Sequence, residues 1–116
     1  MYTKTLLIRL KKHMQDSKRQ EKAVAKAFEG RTTLASGALK FDKGDVETSK
    51  YLIECKTTEK NSFIIKKAVL EKIRREAINK HKFPLMSIEF QGYGRFILLR
   101  EDLFLELEEG YNGIVL

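Results

Sequence analysis

Asp45 is followed nine residues later by Glu54-Cys55-Lys56, and this spacing is the chemically telling feature of the chain. Tyr51-Leu52-Ile53-Glu54-Cys55-Lys56-Thr57 is rich in strand-forming residues. Residues two apart in a strand share a face, so Glu54 and Lys56 point together, while Ile53 and Cys55 point the other way. Charges in the middle of a central strand cost stability unless they are paired or bound to a metal. A shorter strand is expected around Asp45-Val46-Glu47, with Thr48-Ser49-Lys50 as the hairpin connection. If the hairpin turns at Ser49-Lys50, Asp45 lies opposite Glu54, and Gly44 lets a backbone or phosphate come close. Two carboxylates and a lysine then converge. Carboxylate oxygens suit Mg²⁺, which keeps several waters and shares its shell with substrate phosphate. Such a metal lowers the pKa of a bound water and neutralises phosphate charge, and a lysine orients that water or stabilises developing charge. In outline this is a site for phosphodiester hydrolysis. The plainer reading of Glu-x-Lys is a cross-strand ion pair.

The elements around this hairpin must position it. Ser17-Lys18-Arg19-Gln20 reads as a capping box that starts a helix running to about Glu29, with Gly30 just past its end. Glu21 lies three residues before Val24 and seven before Phe28, on or beside their apolar face. A carboxylate there is explained by a metal ion or by a hydrogen bond at the core's edge. Residues 4–14 fit both a helix and a strand. Residues 31–43 read as loop, with Ser36-Gly37-Ala38 in the middle. After Asn61-Ser62, a helix is expected from about 64 to 80, since Ile65, Val69, Ile73 and Ala77 step by four. Lys66, Lys67, Arg74 and Arg75 lie off that stripe. Phe83-Pro84 closes the helical region. Leu85–Phe90 and Arg95–Leu99 read as strands joined by a turn at Gly92-Tyr93-Gly94, and a short segment runs from Glu101 through Leu107. Tyr51, Tyr93 and Phe96 are candidates for stacking on bases, with the strand patterns of Tyr51 and Phe96 favouring the core. The fold class is therefore α/β, a small domain with a central mixed sheet flanked by helices.

The composition agrees. With 116 residues, 42% hydrophobic and 34% charged, the chain reads as one globular domain. No apolar run is long enough to span a membrane, and the start lacks a signal peptide's apolar stretch. Cys55 is the one cysteine, which rules out an internal disulfide and a cysteine zinc site and suits a reducing compartment, the cytoplasm. His13 and His81 have no ligand-spaced partner. The net charge of +7 is unevenly spread: residues 1–30 and 59–83 each carry +5, the intervening stretch +1, and residues 84–116 carry −4. A polyanion such as nucleic acid is the natural partner of the two basic blocks, against a plainer reading as solvated helix faces.

Gly44-Asp45 and Glu54-Cys55-Lys56 together resemble the signature of the PD-(D/E)XK nuclease superfamily. Over roughly residues 17 to 100, the chain is most similar to archaeal-type Holliday junction resolvases and their phage-encoded relatives. The resemblance implies a restriction-endonuclease-like core: a helix, a mixed sheet carrying the site, and a second helix. It also implies a homodimer that cuts four-way DNA junctions with Mg²⁺ or Mn²⁺, with no nucleotide cofactor and no membrane. Asp45, Glu54 and Lys56 match the motif residues, and Glu21 matches a glutamate on the family's first helix that completes the metal site. The backbone carbonyl of Cys55 is a further implied metal ligand. Ser36, in Ser36-Gly37, resembles a family serine that aids cleavage, and Arg19 corresponds loosely to a basic residue near the helix start. Gly44 stands where the signature has proline, and the interval from Asp45 to Glu54 is shorter than in cellular members, implying a tighter hairpin. Lys40, Lys43, Thr57, Lys60, Lys66, Lys67, Arg74 and Arg75 are expected to contact DNA phosphates. Residues 1–16 are expected to help form the dimer or grip DNA. The competing readings are another nicking or repair nuclease of this superfamily, a non-catalytic structure-specific DNA-binding module, and a dimerising structural protein.

Overall fold

A computed structural model describes residues 3–33 and 45–115. They form α1 (Lys4–Ala27), β1 (Arg31–Thr32), β2 (Val46–Glu47), β3 (Tyr51–Thr58), α2 (Lys67–Asn79), β4 (Phe83–Phe90), β5 (Gly94–Leu98) and α3 (Glu101–Val115). The chain is α/β, with the strands in one mixed sheet in the order β1-β2-β3-β4-β5. Only β3 and β4 run parallel, and α2 supplies the crossover that parallel neighbours require. β3 is the central strand, as the charged motif demanded. One apolar cluster joins Val24 and Ala25 of α1 and Leu103 of α3 to Val46, Ile53 and Leu85 on one face of the sheet. A second joins Ile73 of α2 to Met86 and Ile88 on the other. Both faces of the central strands are therefore covered.

The first helix differs from expectation. Ser17-Lys18-Arg19-Gln20 lies inside α1; the helix starts at Thr3, whose hydroxyl accepts a hydrogen bond from the Leu6 N–H at 3.1 Å. No glycine or proline interrupts residues 4–27. Each added residue contributes a hydrogen bond without a new nucleation cost, so an internal capping signal does not stop the helix. Only its second half packs: Gln20, Val24 and Ala25 are buried, whereas Leu7, Ile8, Leu10 and Met14 are exposed. The helix ends where Glu29 turns left-handed (φ 54°) and Gly30 presses on the β2 backbone. A Cβ at Gly30 would stand 2.6 Å from the Glu47 carbonyl oxygen and 2.8 Å from Thr48 Cγ2. Gly30→Ala is therefore expected to cost about 1–3 kcal/mol, read as a lower urea midpoint. An unchanged midpoint would contradict this packing.

Other boundaries shift for identifiable reasons. Arg31–Thr32, expected as loop, pairs with Glu47 and Val46. α2 begins at Lys67 rather than 64; Lys66 is its extended N-cap with no side-chain cap bond, so neither Asn61 nor Ser62 caps it. Ile73 and Ala77 are buried as the stripe predicts, but Ile65 precedes the helix and is exposed. Phe83-Pro84 opens β4 instead of trailing α2. The Phe83 N–H donates to the Lys50 carbonyl at 2.9 Å, so by alternation the Pro84 nitrogen faces the other side. There β5 has already ended, opposite Met86, and a strand tolerates proline. The segment expected to stop at Leu107 continues as helix α3 to Val115. Tyr51 packs against the core as expected, whereas Phe96 is 49% exposed and not a core residue. Among the described residues, no helix is long and apolar enough to cross a membrane.

Candidate active site

The β2–β3 hairpin sets the site. Thr48 makes its tight connection: its hydroxyl accepts from the N–H groups of Lys50 (3.1 Å) and Tyr51 (2.8 Å), and its own N–H donates to the Tyr51 carbonyl. The register Val46↔Ile53 and Glu47↔Leu52 then places Asp45 opposite Glu54, as anticipated from the turn. The Asp45 N–H donates to the Ile53 carbonyl at 3.1 Å. The next N–H along β3, that of Cys55, donates instead to Asp45 Oδ2 at 2.8 Å. The Asp45 carboxylate is thus fixed against the β3 backbone, between Glu54 and Lys56.

Glu54 is buried, and Lys56 Nζ stands 3.6 Å from Glu54 Oε1. Burial pushes the Glu54 carboxyl above its usual range and Asp45 pushes it further, while Lys56 and Lys72 pull it back. Glu21 reaches the same spot from α1. It is half-buried and shares a hydrogen bond with Asp45. Burial first, then the Asp45 charge and that hydrogen bond, raise its pKa to about 7. Three carboxylates from α1, the start of β2 and β3 therefore crowd one another beside a lysine.

This donor set suits a hard divalent cation. Mg²⁺ is held by one or two carboxylates and keeps its waters, and a cation relieves the mutual repulsion that raises these pKa values. Asp45 and Glu54, with Glu21, would hold it. Among the described residues, no three histidine, cysteine or acidic side chains are gathered into a ready-made cage. The crowding is electrostatic and short of full coordination geometry.

Gln20, which sequence reasoning passed over, secures this arrangement. It is wholly buried, and its Nε2 donates to the carbonyls of Lys56 (2.9 Å) and Ser87 (3.1 Å). It thereby ties α1, next to Glu21, to the backbone of the motif lysine. Its position four residues before Val24 was the available signal. Gln20 Oε1 and Ser87 Oγ are buried with no protein partner among the described residues.

Glu89 of β4 was also missed. It is buried and accepts from Arg19 (Nη2, 2.6 Å) and from the Thr57 hydroxyl (3.0 Å). The Arg19 hydrogen bond holds its carboxyl below the usual range. Arg19 and Thr57, expected at DNA, are placed together in this network, with the Arg19 side chain about half exposed. Lys60, Lys66, Lys67, Arg74 and Arg75 are exposed, and Lys67 pairs with Glu71 along α2. The Cys55 side chain packs against the α1 cluster, where burial pushes its thiol pKa well up, so it stays protonated and inert. Ser36, Gly37, Lys40, Lys43 and Gly44 lie outside the described residues.

Comparison of the chain with family models, with curated proteins and with solved structures finds no match to any of the three.

Proposed function

We propose that this chain is a metal-dependent endonuclease of the PD-(D/E)XK type, with a restriction-endonuclease-like core, that resolves four-way DNA junctions by paired phosphodiester hydrolysis. The observation that carries the reading is the hairpin register: it opposes Asp45 and Glu54, sets Lys56 beside Glu54, and lets Glu21 meet Asp45. An ion pair within β3 needs only Glu54 and Lys56. It does not account for two further carboxylates held against the same pair at a cost in electrostatic repulsion.

In this reading Asp45 and Glu54 bind Mg²⁺ or Mn²⁺, and Glu21 completes the acidic site. The bound ion would supply an acidified water and charge neutralisation at the phosphate. Lys56 orients that water and stabilises negative charge on the phosphate oxygens. Lys66, Lys67, Arg74 and Arg75 hold the DNA backbone, so affinity falls steeply with salt. Phosphate contacts of this kind fix the position of the DNA and carry no base sequence, so the reading is of shape. Two symmetric cuts need two sites, which a twofold homodimer supplies. The exposed leucines in the first half of α1 are available to that dimer.

A panel of labelled four-way, flap, nicked and linear substrates with Mg²⁺ tests the proposal. Preferential paired cutting of the four-way substrate is expected. Equal cutting of linear duplex would assign the site to another nuclease of this type, and tight junction binding without cutting would make the chain a non-catalytic binder.

A further inference from the structure

The turn between β4 and β5 presents an aromatic surface that the hydrolytic site does not use. Gly92 takes a left-handed φ of 76°, and the Tyr93 N–H donates to the Phe90 carbonyl at 2.9 Å. This turn leaves Tyr93 82% exposed. Its ring lies nearly parallel to Phe96, at 18° with centroids 6.0 Å apart. Phe96 in turn meets Phe90 edge-on at 6.2 Å. Phe90 packs against the α2 cluster, so the three rings run from the core out to solvent. A ring left this exposed adds little to folding, and backed by Phe96 it presents a free face to a stacking ligand.

The surroundings supply a cation and amide groups next to the rings. A cavity of about 410 Å³ beside the rings is lined by Glu59, Lys60, Asn61, Phe90, Gln91, Tyr93 and Phe96. Glu59 is paired with Lys12, while Lys60 brings a cation and Asn61 and Gln91 bring amide groups. Strand register links the cavity to the candidate site. Lys56 pairs with Ile88, and Ile88 pairs with Phe96. The three form one cross-strand row on a single sheet face, so Phe96 stands about 10 Å from Lys56, two strand spacings away.

We propose that the Tyr93–Phe96 stack seats one unpaired nucleobase of the DNA whose phosphate lies at Asp45, Glu54 and Lys56, with Lys60 on a neighbouring phosphate. The inference rests on the nuclease reading and adds to it a preference for DNA with interrupted stacking. A base inside a regular duplex has both faces covered. Extruding it costs a few kcal/mol, least where it is already unpaired. Aromatic stacking then favours the unpaired base whatever its identity.

The test is binding of the full chain to a duplex carrying one unpaired 2-aminopurine and to the same duplex fully paired, in EDTA and low salt. Tyr93→Ala is expected to weaken binding to the bulged duplex roughly tenfold or more, and to the paired duplex by less than about twofold. Tyr93→Phe, which keeps the ring, should retain wild-type affinity and the 2-aminopurine quenching that Tyr93→Ala loses. Equal losses on both duplexes, or none on either, would overturn the stacking seat while leaving the nuclease reading in place. Wild type that binds neither duplex would overturn the stacking seat, and wild type that also fails to bind a four-way junction under the same conditions would overturn the nuclease reading. Tyr93 is nearly all exposed, so an unchanged circular dichroism melt is expected for each variant.

Discussion

Lys56→Met is expected to slow single-turnover cleavage by on the order of 10²–10³-fold at saturating Mg²⁺, with junction affinity within a few fold of wild type. Methionine keeps the length of the stem and removes only the charge, so packing on β3 is preserved. The lysine's assigned task is performed in the transition state, where negative charge gathers on the phosphate; the many surface cations carry ground-state affinity. Loss of Lys56 therefore belongs in the rate. Its second effect is local: Lys56 opposes the burial that raises the Glu54 pKa, so the variant's rate should recover in part as pH rises. A variant that cuts at near the wild-type rate would reduce Lys56 to the partner in an ion pair.

Mg²⁺ or Mn²⁺ should raise the melting temperature of the wild type and leave that of Glu54→Gln nearly unmoved. At a hundred times the dissociation constant, linkage contributes about 2.7 kcal/mol, roughly 10 °C for a domain of this size. The order reverses without metal. Glu54 is buried beside Asp45 with a raised pKa, so its charge destabilises the fold, and Glu54→Gln should melt above wild type in EDTA. Glu21 adds a pH signature. Its pKa of about 7 in the folded chain exceeds its ordinary 4.5, so between those values the folded state keeps a proton that the unfolded state has lost. Stability from this group is full below pH 4.5 and is lost as pH rises to 7. Glu21→Gln should therefore gain on wild type between pH 5 and 8 in EDTA. Metal affinity of the wild type should rise over the same window, because the ion competes with that proton. Equal melting of wild type and both variants, with and without metal, would remove the case for a metal site.

The parts of this site that were legible in the sequence are those governed by local periodicity. Strand alternation puts Glu54 and Lys56 on one face, and a turn centred on Ser49-Lys50 opposes Asp45 to Glu54. Both depend only on neighbours within ten residues. The α2 stripe and the β4–β5 hairpin were readable for the same reason. What was hidden depends on partners distant in the chain. Gln20 is polar and on a helix, and it is buried because two carbonyls, 36 and 67 residues away, receive its amide. Glu89 alternates out of register with ordinary solvent-facing charges because Arg19 and Thr57 arrive to pair it. The start of α1 was ambiguous because Leu6-Leu7-Ile8 satisfies both periods, and a strong internal capping pattern favoured the wrong boundary. Phe96 alternates like a core residue, yet it lies on the edge strand β5 and outside the cluster that α2 covers.

Cleavage of a labelled four-way junction with Mg²⁺, wild type against Asp45→Asn, addresses the central claim most directly. The substitution keeps the shape and a hydrogen-bond acceptor for the Cys55 N–H, and removes the charge that would bind the ion. Paired symmetric cuts by the wild type that disappear in Asp45→Asn, with junction binding retained, are the predicted result. Junction binding without cutting by the wild type, in Mn²⁺ as well as Mg²⁺, or undiminished cutting by Asp45→Asn, would contradict it.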